Sequence, residues 1–196
     1  MNARSRQAAG RILSIAALTA GALVGCVGYS TWPPVSGTAF ANPNSAANEE
    51  IMIASLAWII ERDHQGPLAS PVAINLPSGV TALRYARMAQ KIGPNVEPLS
   101  RANASVPIYH IAEFKVRGSE AEVIVLRPAT EITEGSPAEP VYQGYRLKLS
   151  GGFDPWHVTW FKPYSVGTIS APPLSYIDAA AGAEVETAAV EDSSGG

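Results

Sequence analysis

The chain has 196 residues, of which 14 are Lys or Arg and 17 are Asp or Glu, so its formal net charge is −3. This mildly acidic balance argues against nucleic acid as a partner and against charge-driven docking on anionic lipid. A single cysteine excludes an intrachain disulfide, so a hydrophobic core must stabilise the fold unaided.

The N-terminal segment has the pattern of an export signal. Arg4, Arg6 and Arg11 form a basic region without acidic residues, and residues 12–24 are apolar and small. A helix of that length measures roughly 20 Å, which is short of the roughly 30 Å needed to span a bilayer. The segment therefore predicts export and not a membrane-spanning anchor.

The apolar run ends in Leu23-Val24-Gly25-Cys26, which resembles the lipobox of bacterial lipoproteins. The resemblance implies cleavage just before Cys26, a diacylglyceryl group on its sulfur and an acyl chain, such as palmitate, on the new amino terminus. Two or three acyl chains hold a protein stably on a membrane. Because Val27 is not an aspartate, the resemblance implies the outer membrane, facing the periplasm, where the host is Gram-negative. The alternatives are an ordinary cleaved signal peptide with a chance cysteine and an uncleaved N-terminal helix.

Composition divides the chain into four segments. After the signal peptide, residues 1–25, residues 26–45 are rich in Gly, Pro, Ser and Asn and predict a flexible tether. Residues 169–196 end in an acidic stretch without basic or aromatic residues, which predicts a disordered tail. Between them, residues 46–168 are enough for a single domain.

Two helices are predicted in the first half of this domain. Residues 46–64 are apolar nearly all round in their middle and carry acids in the first turns, which indicates a well-covered helix. In residues 72–76 large apolar side chains alternate with small or polar ones, which predicts a short strand. A second helix is predicted over residues 79–92, with Ser78 as its N-terminal cap and Gly93 at its C-terminal end.

Four strands follow, over residues 108–117, 121–127, 141–149 and 156–162. A helix followed by antiparallel strands predicts an α+β fold: one long N-terminal helix and a second helix packed on a curved, mainly antiparallel sheet of four to five strands. This order, with the late hairpin from Tyr145 to Trp160, resembles the NTF2-like and cystatin-like families. The resemblance implies a long helix packed on a curved sheet, which could enclose a pocket.

His110 is the strand residue most able to carry chemistry, because alternation places it on the apolar face between Ile108 and Ala112. In a pocket of the kind that the resembled families imply, it could polarise a ligand or act as a base. We favour the other interpretation, a core histidine that hydrogen-bonds a backbone carbonyl or Tyr145.

Three further groups of side chains are candidates for binding, and we favour a structural role for each. Two aromatic residues on one strand face could line a ligand cavity but are more often core; they are Trp156 and Trp160. A basic stripe on the second helix could bind an anionic ligand or a partner but has the spacing of a solvated face; it comprises Arg84, Arg87 and Lys91. Acids and a base within one turn of the first helix are explained by capping and i,i+3 pairing; they are Glu61, Asp63 and His64.

No sequence motif points to a metal, a cofactor or a catalytic residue. The three histidines, His64, His110 and His157, lack partners at zinc-ligand spacing, and no nucleophile elbow, phosphate loop or dinucleotide fingerprint is present. The sequence therefore predicts a lipid-anchored cell-envelope protein whose domain binds another envelope protein or a small apolar ligand without catalysis. The alternatives are an enzyme or small-ligand carrier with a pocket near His110, and a structural accessory of an envelope complex.

Overall fold

The computed structural model describes residues 28–64, 68–129 and 140–177. The predicted signal peptide, the lipobox-like residues and the last part of the predicted tail lie outside these ranges. Within them no helix has the length and apolar character needed to cross a membrane. The elements, in chain order, are β1 (Ser30–Trp32), β2 (Ala39–Phe40), α1 (Ala46–His64), β3 (Val72–Asn75), α2 (Ala82–Ile92), β4 (Val96–Pro98), β5 (Ile108–Arg117), β6 (Glu120–Pro128), β7 (Tyr142–Ser150) and β8 (His157–Pro163).

The eight strands form one mixed sheet with the order β2-β1-β5-β6-β7-β8. β1 pairs antiparallel with the C-terminal half of β5, β3 pairs parallel with its N-terminal half, and β4 pairs parallel with β3. The predicted fold class is therefore wrong. The domain is mostly β, with two short helices and an eight-stranded mixed sheet, instead of one long N-terminal helix and a second helix on four to five mainly antiparallel strands.

The unpredicted strands are too short to show a period. β1, β2 and β4 have two or three residues each, whereas alternation needs about four to eight. β1 and β2 also lie within residues 26–45, whose composition predicted a flexible tether. Trp32 in β1 nevertheless pairs with Phe114 in β5, and their rings stack with centroids 6.1 Å apart. The folded domain thus begins by residue 30 and not at residue 46.

α1 has the bounds predicted for the first helix. The Ser45 hydroxyl accepts a hydrogen bond from the Asn48 amide at 3.3 Å, as expected of an N-cap. One side of the helix is buried against the sheet and α2; its buried apolar residues are Ile51, Met52, Leu56, Ile59 and Ile60. Burying five such side chains contributes roughly 10 kcal/mol, so packing and not helix propensity holds α1 in place.

α2 begins at Ala82, three residues later than the predicted start at 79. Gly79 has a φ of +88°, which is left-handed backbone outside a helix, and the Val80 amide donates to the Pro77 carbonyl in a turn. Pro77, Ser78 and Gly79 therefore form a turn ahead of the helix, where Ser78 was expected to cap it.

A β-bulge in β5 reverses one predicted face. The register of β5 with β6 shifts between Ile111 and Glu113, which leaves Ala112 as an extra residue. The predicted alternation put His110 and Phe114 on one face of the sheet. Successive side chains point to opposite faces, so one extra residue between them places His110 and Phe114 on opposite faces. Phe114 faces the core under α1, whereas His110 lies on the opposite side of the sheet, which we call the outer face.

Residues 164–177 form an irregular segment, the C-terminal strap, across the outer face. At one end the Tyr164 amide donates to the Gly144 carbonyl of β7 at 2.8 Å, and at the other the Ile177 amide donates to the Leu99 carbonyl at 2.9 Å. Between these ends the Ile169 side chain lies against Gly144. Part of the predicted tail, residues 169–177, is therefore packed on the domain.

Candidate binding surface

Within the described residues, β8 is an edge strand that pairs only with β7. All of its residues except Val158 are exposed. Trp160 pairs with Lys148 on the outer face, whereas Phe161 pairs with Leu147 on the face toward α1. The two aromatic side chains, 45% and 37% exposed, therefore flank the same free edge from opposite faces.

On the α1 side, Phe161 belongs to a small aromatic cluster. Its ring centroid lies 5.0 Å from that of Trp58, and the Arg62 guanidinium carbon lies 4.3 Å from the Phe161 ring and 5.3 Å from the Trp58 ring. Trp58 and Arg62 are four residues apart and so share one helix face. We call Trp58, Arg62, Trp160 and Phe161, together with the free edge of β8, the aromatic edge.

A polar cluster lies at the end of α1. The Tyr109 hydroxyl donates to Asp63 Oδ2 at 2.5 Å and lies 3.0 Å from His64 Nε2, and Arg127 Nη1 donates to Asp63 Oδ1 at 2.6 Å. Because the single hydroxyl proton points to Asp63, His64 Nε2 is assigned as the donor to the Tyr109 oxygen. Both carboxylate oxygens have donors, so the cluster ties the helix end to β5 and β6.

Tyr145 connects the polar cluster to the aromatic edge. Its hydroxyl donates to Gln143 Oε1 at 3.1 Å, and the same oxygen accepts a hydrogen bond from Arg127 Nε at 3.1 Å. The ring of Tyr145 meets Trp58 edge to face, with centroids 6.3 Å apart. The polar cluster thus holds Trp58 and Arg62 in register over β7 and β8.

His110 lies away from this surface and has no exposure to solvent. Asn75 Nδ2 lies 3.0 Å from His110 Nδ1, the Tyr142 ring meets the imidazole edge to face at 4.6 Å, and the Ser175 amide in the strap donates to Asn75 Oδ1. Its Nε2 has no hydrogen-bond partner among the described residues. Burial lowers the pKa of His110 to about 4, so the ring is neutral at pH 7. His110 is a core residue paired with Asn75, where a backbone carbonyl or Tyr145 was expected.

The basic stripe of α2 faces α1. The Glu49 carboxylate, only 4% exposed, accepts two hydrogen bonds from Arg87, at 2.9 and 2.6 Å, and one from Arg84 at 2.7 Å. Lys91 Nζ lies 2.8 Å from Glu50 and 3.7 Å from Glu49. Burial alone would raise the pKa of Glu49, but hydrogen bonds and charge from the arginines outweigh it and lower the pKa. The stripe is therefore an ion-paired helix contact.

The remaining candidates are separated in space. Trp156 is partly buried, with its ring against Gly151, whereas Trp160 is exposed on β8. Glu61 is exposed on α1, apart from the cluster that joins Asp63 and His64. Among the described residues no three His, Cys, Asp or Glu side chains are grouped to hold a metal ion.

Of the residues at the aromatic edge, Trp160 was selected from the sequence, whereas Trp58, Arg62 and Phe161 were not. Tyr109 and Arg127 are brought to Asp63 only by strand pairing, which no local pattern indicates. The adjacent aromatic residues Trp160 and Phe161 were a usable signal. Neighbouring residues in a strand point to opposite faces of the sheet, so a core on one face of the sheet cannot bury both side chains. No protein-family model matches the chain, and comparisons with curated proteins and with solved structures give no match either.

Proposed function

We propose that this protein is a lipid-anchored protein of the cell envelope whose domain binds another envelope protein without catalysing a reaction. The lipobox-like residues that end in Cys26 support the anchor and the envelope location, with the outer membrane as the membrane in a Gram-negative host. The free edge of β8, flanked by exposed aromatic rings, is the observation that carries the binding function.

An exposed edge strand presents unpaired backbone donors and acceptors, which another chain can satisfy by adding a strand. β8 has seven residues, enough for several such bonds. Its register with β7 shifts at Thr159, and it ends in Lys162 and Pro163, features that limit indiscriminate pairing. An extended segment of the partner would pair with the first part of β8 and place apolar side chains beside Trp160 and Phe161.

The titratable groups support binding better than catalysis. The Asp63 carboxylate already accepts hydrogen bonds from Tyr109 and Arg127, and Tyr109 in turn contacts His64. These bonds fasten the end of α1 to β5 and β6, which is a structural role. His110, the residue on which an enzyme would depend, lies under the strap.

Site-specific photocrosslinking in membranes of the host tests this proposal. Benzoylphenylalanine at Thr159, which is exposed on β8, should give one discrete adduct, whereas the same group at Leu83, 55% exposed on α2, should give none. The adduct should be lost in the Phe161→Ala variant, because the partner's apolar side chains lose their contact. Cys26→Ala should leave an unprocessed chain without acyl mass. Equal adducts at both positions, or none, would refute the binding site, and a normal mature mass after Cys26→Ala would refute the anchor.

A further inference from the structure

Three parts of the chain meet at one end of the sheet. The pairing registers place Ser30 of β1 beside Val116 of β5, Ala121 of β6 and Leu149 of β7 in a single row. The point where the chain enters the domain therefore lies at the same end as the β5–β6 turn and the β7–β8 turn. The Gly151 amide donates to the Ser119 carbonyl at 3.0 Å and fastens the two turns together.

The lipid-bearing residue of the proposed function is close to this end in sequence. Only four peptide steps separate Cys26 from Ser30, the first residue of β1. Four residues span at most about 14 Å even when fully extended. A chain fixed at Cys26 in the lipid headgroups therefore cannot lift this end of the domain away from the membrane, as a longer tether would.

The same end carries the most exposed large apolar side chain of the described residues. Phe153, at the tip of the β7–β8 turn, has its side chain fully exposed at 110%, and Tyr29 beside the chain entry is 48% exposed. β1 and β7 are three strand spacings apart, about 14 Å, so both residues can meet one flat surface. Aromatic residues on a short tether next to a bilayer enter the interfacial region at little cost, because the anchor keeps their local concentration high.

Charge does not explain this arrangement. Arg117 lies over the Tyr29 ring at 5.4 Å, and Glu120 and Asp154 at the same end oppose it with two negative charges. A surface without excess positive charge gains nothing from anionic lipid. Any docking at this end would therefore depend on the aromatic side chains.

We propose that the end of the sheet formed by Tyr29 and the β7–β8 turn lies directly on the lipid surface, with Phe153 inserted among the headgroups. This inference rests on the proposed anchor at Cys26. It assigns a role to the tip of the β7–β8 turn, and it orients the strands away from the membrane.

The test uses the mature acylated protein, which begins at Cys26, in phosphatidylcholine vesicles that contain doxyl-labelled lipid. Since acylation consumes the only cysteine, an Asp154→Cys substitution provides one free thiol for a fluorescent label beside Phe153. Ser105→Cys is the matched control, because Ser105 is exposed at the opposite end of β5, about 30 Å away. We expect severalfold stronger quenching at position 154 than at 105, unchanged by anionic lipid or by salt, and a clear loss of quenching after Phe153→Ala.

The outcomes separate this inference from the proposed function on which it rests. Equal quenching at positions 154 and 105, in protein that carries acyl mass and floats with the vesicles, would overturn the docked orientation and leave the anchor intact. Quenching at 154 that Phe153→Ala does not change would overturn insertion of Phe153. Protein that lacks acyl mass and does not float would overturn the anchor, and this inference with it.

Discussion

His110→Gln should remove a large part of the pH dependence of folding stability between pH 7 and pH 5. In the folded protein burial lowers the pKa of His110 from 6.5 to about 4. Glutamine keeps an acceptor that can face the Asn75 amide but does not titrate. The substitution therefore separates the protonation of His110 from most of its packing.

The sign and size of the effect follow from the two pKa values. Between pH 6.5 and about 4 the unfolded chain binds a proton at His110 that the folded chain does not, so stability falls as the pH falls through this window. From pH 7 to pH 5 the loss amounts to about 2 kcal/mol for this single residue. Glu49 does not mask the effect, because the stabilisation from a carboxylate with a lowered pKa is lost only as the pH falls below its unfolded value of 4.5.

Urea unfolding at pH 7, 6 and 5 measures this slope, with the free energy of unfolding as the readout. His157→Gln is the matched control, because it removes an exposed histidine whose hydrogen-bond partner, among the residues that the structure describes, is the Pro155 carbonyl. The wild type should lose about 2 kcal/mol more than His110→Gln over this range. Equal losses in the two proteins would show that the strap does not keep water from His110, and the reasoning would fail.

Two further predictions concern packing and charge. Gly151→Ala should lower the melting temperature, since the new Cβ would lie 2.4 Å from the ring of Trp156 and overpacking costs about 1–3 kcal/mol. The control is Gly93→Ala, where the added Cβ has room and the protein should melt like the wild type. An unchanged melting temperature for Gly151→Ala would show that the Trp156 ring does not lie against Gly151. Glu49→Gln should lower the free energy of unfolding at pH 7 by about 2 kcal/mol, whereas Lys91→Met should not measurably change the urea midpoint. Because the pKa of Glu49 is lowered from its ordinary value of 4.5, the unfolded chain takes up a proton at Glu49 before the folded chain does, so the Glu49→Gln deficit should shrink as the pH falls below 4.5. A deficit that does not shrink at all below pH 4.5 would contradict the ion-pair explanation.

Local pattern predicted the longer elements closely. The strand predicted over 108–117 has those bounds in β5, and the strands predicted over 121–127, 141–149 and 156–162 are each displaced by only one residue at either end. Alternation of apolar and polar residues over seven or more positions, bounded by Gly and Pro in the turns, is enough to locate such strands. Their order in the sheet was not available from the same signal.

The errors arose where long-range contacts decide the structure. β1 and the C-terminal strap are held by pairing with β5 and β7, which lie far away in sequence, and their own composition is that of a linker. The sequence gives no sign of the bulge at Ala112 either. A single inserted residue leaves the alternation of apolar and polar residues intact on each side of it, while it moves His110 to the other face of the sheet.

The partners of the charged side chains around α1 were beyond prediction for a related reason. The charges of Arg84 and Arg87 were evident in the sequence, but their partner Glu49 lies on another helix, more than thirty residues away. Asp63 was noted as part of a local acid–base group, whereas its actual partners come from β5 and β6. Composition identifies groups that can interact, and topology determines which of them meet.

The two proposals together specify how a partner reaches the aromatic edge. β8 starts at the end of the sheet proposed to lie on the membrane, and Phe161 is four residues beyond His157, about 13 Å further from the lipid. The free edge of β8 would then stand upright on the bilayer and open to the side. A segment that adds to this edge must run along the strand direction within a short distance of the headgroups, which suits a protein held in the same membrane. On this reasoning the adduct at Thr159 requires the anchor, since without it the edge is no longer presented at that height.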